Sequence, residues 1–313
     1  MKLSVVIPFY NAEQYIEQCI EGLFLQSLAT DDFEIIMVDN NSTDWSAKIV
    51  GRYPQIRLLQ EIKQGSYAAR NRGIRAAKGE LVAFTDPDCV PRSDWLEQAL
   101  ISMHSPDVKI TIGSRHIAIP HKNLSLLFDY ENQKDAYILN SEKAECYYGH
   151  TNNMVVRRAL FNSYGPFDEV HRGADTMYVR SIVDSLSTNT VSYNPEMSVK
   201  HLEVDCLSTY FKKVRSYARS RQRNKLLQPT QAISCSDRWR IFLQTIRTRD
   251  YPLMDRLNLL AMLIRGMLDW SVSDLKERWK IKTETPTVIQ NLSVSASPKR
   301  SHYPSQTSFK TMD

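Results

Sequence analysis

The first 115 residues alternate strand-like and helix-like patterns with short connections, and this alternation narrows the fold more than any single motif does. Apolar runs at Leu3–Ile7, Glu34–Val38, Ile56–Leu59, Leu81–Thr85 and Lys109–Gly113 read as strands. Helical patterns lie between them at Ala12–Gln26, Thr43–Tyr53, Ser66–Lys78 and Ser93–Met103, with Ser42 and Ser93 as expected N-caps and Gly79 as an expected helix stop. The expected class is α/β, a mostly parallel sheet with helices on both faces.

From about Leu124 the regularity fades. A helix is expected over Leu124–Tyr137, a short strand at Asn153–Arg157, a helix over Ala174–Asp184 and extended segments up to His201. Beyond these, Leu207–Leu227 reads as a basic amphipathic helix, followed by helices near Asp237–Thr248 and Leu253–Trp270. After Lys280 the chain turns rich in Ser, Thr, Pro and Gln, and 281–313 reads as a disordered tail.

With 313 residues the chain can hold one large domain or two small ones, and a net charge of +5 does not call for nucleic acid. The charge is unevenly spread: Lys212–Arg249 holds eleven Lys or Arg against one acid, Asp237. Phosphates or an acidic membrane surface suit such a stretch. Five scattered cysteines without a C-x-x-C argue for reduced thiols in a cytosolic setting, against a disulfide framework or a zinc site. The chain enters a strand directly, so no signal peptide is expected, and no run reaches the ~18–20 apolar residues of a spanning helix.

The strand Leu81–Thr85 runs straight into Asp86-Pro87-Asp88, two carboxylates where a parallel sheet opens. Hard oxygen ligands there suit Mg²⁺ or Mn²⁺, which complete their shells with diphosphate oxygens and water. Alone, such a triplet occurs by chance in most long chains. The second strand also ends in a carboxylate, Asp39, which can accept a ring N–H from a base; the plainer alternative makes it and Asp44 turn or cap residues. Gly65–Gly73 brings Arg70, a bidentate donor near the same rim, although a lone helix arginine is more often solvated. Neither a G-x-G-x-x-G nor a phosphate loop follows the first strand, which disfavours a dehydrogenase, kinase or ATPase.

Together, Val5-Val6-Ile7-Pro8-Phe9-Tyr10-Asn11, Val38-Asp39-Asn40-Asn41-Ser42-Thr43-Asp44, Ala68-Ala69-Arg70-Asn71-Arg72-Gly73 and Phe84-Thr85-Asp86-Pro87-Asp88 resemble the family 2 glycosyltransferases, with a GT-A fold. The resemblance continues through Gly149–Arg158 and Gly173-Ala174-Asp175-Thr176 to Tyr193–His201. It implies that Pro8, Tyr10, Asp39, Arg70 and Asp86 contact the donor nucleotide. Asp86 and Asp88 would hold the metal, with His201 beside it, and Asp175 would be the catalytic base. Many members carry Glu-Asp where this chain has Ala174-Asp175, which puts the acceptor contacts in doubt more than the chemistry.

The domains expected are then a GT-A domain over 1–203, split into a donor half 1–115 and an acceptor half 116–203, and a basic helical extension over 204–280. The implied activity is metal-dependent, inverting transfer of a sugar from a nucleoside diphosphate sugar, UDP by default, to a saccharide or lipid-linked saccharide hydroxyl. It would serve polysaccharide or glycoconjugate synthesis. Arg238-Trp239 lacks the Gln of the processive Q-x-x-R-W motif, so a non-processive enzyme is expected. A cytoplasmic location follows, and the basic helix Leu207–Leu227 reads either as a packed helix with a solvated face or as an attachment to the anionic inner face of the plasma membrane. The competing readings are a nucleotidyltransferase, which opens with a Gly-rich basic loop, and an inactive nucleotide- or glycan-binding scaffold.

Overall fold

The computed structural model describes residues 1–225, 227, 231 and 233–284. Among these, eight strands form one sheet: β1 (Leu3–Phe9), β2 (Phe33–Asp39), β3 (Ile56–Gln60), β4 (Leu81–Thr85), β5 (Cys89–Pro91), β6 (Ile110–Ile117), β7 (Asn153–Arg157) and β8 (Val191–His201). Their order is β3-β2-β1-β4-β7-β6-β8-β5. Strands β1 to β4 run parallel, so Phe9, Asp39, Gln60 and Thr85 end on one rim. Strand β7 is antiparallel to both β4 and β6, while β6 pairs in parallel with β8.

The helices are α1 (Ile16–Phe24), α2 (Ser46–Val50), α3 (Ser66–Ala76), α4 (Trp95–Ser102), α5 (Lys122–Leu139), α6 (Ala159–Tyr164), α7 (Ala174–Ser185), α8 (Leu207–Asn224), α9 (Cys235–Thr248) and α10 (Leu253–Glu284). Successive strand residues point to opposite faces. Val6, Ile36, Val38, Val82 and Phe84 therefore join one core with Tyr67 and Ile74 of α3 and Tyr178 of α7. Their neighbours Val5, Ile7, Ile35, Met37 and Ala83 join another with α1 and α4. This is the α/β sheet with two covered faces that the alternation predicts. A third core, built on Leu127, Phe211, Ile241 and Leu259, joins α5 to α8, α9 and α10.

Several boundaries move for identifiable reasons. Neither Ser42 nor Ser93 caps a helix: α2 and α4 begin at Ser46 and Trp95, behind Trp45 and Asp94. Asp44 holds the turn instead, its Oδ1 accepting from the Ser46 amide at 3.0 Å and from the Ser46 hydroxyl at 2.6 Å. Helix α3 ends at Ala76 with Ala77 as its C-cap, before Gly79. Gly79 is needed for close approach, since a Cβ there would lie 2.5 Å from the Leu3 carbonyl carbon. Strand β6 runs on past Gly113 and pairs with β8 on both sides of a bulge at Gly113/Ser114. Helix α10 passes Trp270 and the expected tail boundary at 281; the rest of that tail, 285–313, lies outside the described residues.

Candidate active site

The rim where β1, β2 and β4 end is held together by side chains that tie its loops to one another. After β1, Asn11 Oδ1 accepts from the Thr43 amide at 2.8 Å, and the Asn11 amide donates to Ser42 Oγ at 3.1 Å. Asp39 is 8% exposed, and its Oδ1 accepts from the Ser42 amide at 3.0 Å. Asn40 donates to the carbonyls of Glu61 and Lys63 at 2.9 and 2.8 Å and accepts from the Gly65 amide at 2.7 Å. Asn40 therefore ties the exit of β2 to the exit of β3 and the start of α3. Pro8 is buried inside β1 opposite Val38, whereas Tyr10 stands at the rim, 51% exposed.

Arg70 reaches this rim from α3, and it is buried rather than solvated. Its Nη2 donates to Asp86 Oδ1 at 2.5 Å, and its guanidinium carbon sits 5.2 Å from the centroid of the Tyr67 ring. The Tyr67 hydroxyl accepts from the Gly173 amide at 3.2 Å and shares a hydrogen bond with the Asp175 carboxylate. Asp175 lies in the first turn of α7, with Oδ2 accepting from the Thr151 amide at 3.1 Å and Oδ1 from the Thr176 amide at 2.8 Å. That approach requires Gly149, where a Cβ would lie 2.7 Å from Val179 and 3.0 Å from the Asp175 carbonyl oxygen. Close packing raises the Asp175 pKa, while Arg70 and the two amides pull it back. Asp86, Arg70, Tyr67 and Asp175 thus form one continuous chain of contacts.

Asp88 turns the other way. Short strand β5 pairs with the end of β8, setting Cys89 opposite His201 and bringing Asp88 Oδ2 to 3.3 Å from His201 Nδ1. Burial, and then the neighbouring Asp86, raise the Asp88 pKa to about 7, so ionising this carboxylate is costly unless a cation offsets its charge. Burial, together with the cations Lys213 and Arg115, holds the His201 pKa well down, leaving a neutral imidazole. His201 Nδ1 is buried without a hydrogen-bond partner. Two neighbouring carboxylates beside an unsatisfied imidazole nitrogen fit a divalent cation. Cys89 lies within the same cluster, but burial raises its thiol pKa well above the ordinary value and it packs into the core under α1 and α4.

Three neighbours have no role in the reading from sequence alone. Tyr67 could have been found there, because it precedes Arg70 by three residues, which puts both on one helix face. Glu203 and Lys213 could not. Lys213 Nζ lies 2.6 Å from Glu203 Oε2 and 3.2 Å from His201 Nε2, and Glu203 shares a hydrogen bond with Asp88. That grouping exists only because α8 folds back on the end of β8. Arg180 is structural, donating to the Ala144 carbonyl at 2.6 Å.

The model of glycosyl transferase family 2 matches residues 4–165, a span that contains β1 to β4, the Asp86–Asp88 pair and Thr151, whose amide meets Asp175. The chain belongs to glycosyl transferase family 2. Among curated family relatives, the glycosyltransferase AglE of Haloferax volcanii is 27% identical over 191 residues, covering 58% of this chain and 62% of its own. GlyG of Streptococcus pneumoniae serotype 4 is 34% identical over 117 residues, covering 36% and 38%. The chain therefore spans less than two thirds of these relatives. Among solved structures, the mannosyltransferase PcManGT of Pyrobaculum calidifontis, in complex with GDP-Man and Mn²⁺, aligns with a TM-score of 0.56 at 19% identity, covering 94% of this chain and 78% of that one. Staphylococcus aureus TarS 1–349 in complex with UDP-GlcNAc aligns at 0.50 and 17%, covering 88% and 89%. At these identities the likeness is one of fold, and that fold is the GT-A arrangement.

Proposed function

We propose that this family 2 chain is an inverting, metal-dependent glycosyltransferase that moves a sugar from a nucleoside diphosphate sugar to an acceptor hydroxyl. The observation that carries the reading is the division of labour around Arg70. On one side Asp86 and Asp88 flank the ends of the parallel strands; on the other Asp175 is locked by Tyr67, Thr151 and Thr176. The complexes of PcManGT with GDP-Man and of TarS with UDP-GlcNAc support the donor class without choosing the nucleotide; UDP remains our default.

Asp39 and Tyr10 take the nucleotide end in this reading, and Arg70 steers the diphosphate while holding Asp86. Asp88 and His201, with Asp86 beside them, would hold Mn²⁺ or Mg²⁺, which when bound offsets the charge that develops on the leaving diphosphate. The Asp175 carboxylate takes the proton of the acceptor hydroxyl as that oxygen attacks the anomeric carbon, and a pKa raised by packing makes it a better acceptor. Fixed amide donors on both of its oxygens keep it from swinging toward the diphosphate. The acceptor is a saccharide or lipid-linked saccharide used in polysaccharide or glycoconjugate synthesis. Residues 1–203 carry the transfer in this scheme, and 204–280 form a helical extension that attaches the enzyme peripherally to an anionic bilayer.

Thermal shift with UDP, GDP, TDP and CMP, each with and without Mn²⁺ or Mg²⁺, tests the donor site, because a ligand that binds only the folded state raises Tm. A metal-dependent rise with one nucleoside diphosphate, absent in Asp88→Ala, is expected. No rise with any nucleotide would assign the fold to a scaffold.

A further inference from the structure

Helix α10 packs Leu259 and Met262 into the third core, yet it is apolar on its outward side as well. Its four acids before Glu284 all turn toward the protein and are paired: Asp255 with Lys122 of α5, Asp269 with Arg215 and Glu277 with Arg223 of α8, and Asp274 with Arg278 of its own next turn. Its outward face is apolar, with Leu257, Ile264, Leu268, Val272, Leu275 and Trp279 between 46% and 71% exposed. At 3.6 residues per turn these six lie within an arc of about 80° and run roughly 33 Å along the axis. A surface helix ordinarily shows the opposite arrangement, and a contiguous exposed apolar strip of this length marks a surface that meets something other than water.

We propose that this strip is where the chain lies on an anionic lipid bilayer. The inference rests on the peripheral attachment proposed above and names the surface that makes it. The occupant is argued from charge: the exposed flank carries Arg265 and Lys276, Lys282 stands at the far end, Arg278 is already paired with Asp274, and no described acid on α10 is exposed. Two copies meeting on this face would set cation against cation with no carboxylate to pair, whereas anionic headgroups complement the flanks. Trp279, 71% exposed at the far end, is the residue type that settles at headgroup level. No described helix is long and apolar enough to cross a membrane, so α10 lies in the plane of the interface. Helix α8, the segment whose basic face suggested attachment, spends Arg215 and Arg223 on α10 and buries Phe211 beneath it.

The test is co-sedimentation of the full chain with phosphatidylcholine vesicles containing or lacking phosphatidylglycerol. It compares the natural sequence with Leu268→Gln/Leu275→Gln on the strip and with Lys212→Gln/Arg219→Gln on exposed α8. All four side chains are exposed, and an unchanged Tm shows that the variants fold. We expect binding only with phosphatidylglycerol, a loss of at least tenfold in partitioning for the strip variant, and no more than a few-fold loss for the α8 variant. If the natural chain ignores both vesicles, attachment itself fails, and this proposal with it. If it binds and the strip variant binds equally, attachment stands and this surface is wrong. A concentration-dependent dimer in lipid-free sedimentation equilibrium, abolished by the strip variant, would give the face to a second copy and overturn the proposal.

Discussion

At the sheet rim, charge is concentrated and left partly uncompensated; in the helical layer of α8 to α10, charge is paired off and apolar surface is left outside. Asp88 keeps a raised pKa beside an unsatisfied imidazole nitrogen, while Asp269 and Glu277 each meet an arginine within 2.8 Å. A folded chain retains exposed apolar surface or unbalanced buried charge at a cost in stability, so each region departs from the ordinary arrangement where a ligand would repay it. The rim is suited to a small charged ligand, and the layer to an extended apolar one.

The largest effect that would break this contrast is at the base. Asp175→Asn keeps the shape but cannot accept the proton, and its single side-chain oxygen can accept from only one of the Thr151 and Thr176 amides, so kcat should fall by roughly 10²–10⁴. The nucleotide-induced rise in Tm should survive, because the proposed scheme gives Asp175 to the acceptor and not to the nucleotide. If turnover stays within tenfold of the natural enzyme, the base lies elsewhere.

In the layer the expected outcome is reversed. Phe211 is fully buried between α5, α9 and α10, with the Arg265 guanidinium 4.2 Å from its ring centroid. Phe211→Ala should cost about 3–5 kcal/mol, read as a lower denaturant midpoint. Nucleotide affinity, measured at a temperature where the variant is folded, should change less than about threefold. A parallel loss of affinity would mean that Lys213, carried on the same helix, couples the layer to the rim.

Between the two regions sits a buried polar knot in which Asp135 meets Arg115 at 3.0 Å, His150 at 3.7 Å and the Tyr148 hydroxyl. Burial, then Arg115, push the His150 pKa from 6.5 down to about 3. Burial works against an ionised Asp135, yet the Arg115 guanidinium holds its pKa below the usual range. Both folded-state values are depressed, so the unfolded chain takes up protons first on acidification. The contribution of this knot to stability should therefore be flat above pH 6.5 and fall progressively toward pH 3. In His150→Gln the part of that decline between about pH 6.5 and 4 should shrink, which urea midpoints across the series would measure.

The rim was far more legible in the sequence than the layer, and the reason is physical. Asp39, Asp86 and Asp88 follow apolar strands directly, so a reader who finds the strand finds the carboxylate, and Arg70 lies a fixed number of residues into the next helix. The Asp88–His201 contact was legible only through resemblance, because three-residue β5 carries too little pattern to predict its pairing with β8. The apolar outward face of α10 was not legible. Its apolar positions read as an ordinary core stripe, and only the partners of Asp255, Asp269 and Glu277 reveal which side faces inward. Lys213 was counted among the cations of a basic helix, since nothing local separates it from Lys212.

The smallest effect tests whether the contact chain at the rim tunes the base or merely packs beside it. The Tyr67 hydroxyl donates to Asp175 and so favours the ionised carboxylate, while packing, the larger influence, favours the protonated form. A base must be ionised to act, so kcat should fall as pH drops through the Asp175 pKa, on an acid limb placed above the ordinary aspartate value of about 3.9. Tyr67→Phe removes one hydrogen bond to a charged group, about 1.5–3 kcal/mol at most and less where the Thr151 and Thr176 amides remain. The limb should move to higher pH, with the plateau at alkaline pH changed no more than a few-fold. A lower plateau with the limb unmoved would make Tyr67 a packing residue, and the chain from Asp86 through Arg70 would then end at the tyrosine ring, short of the base.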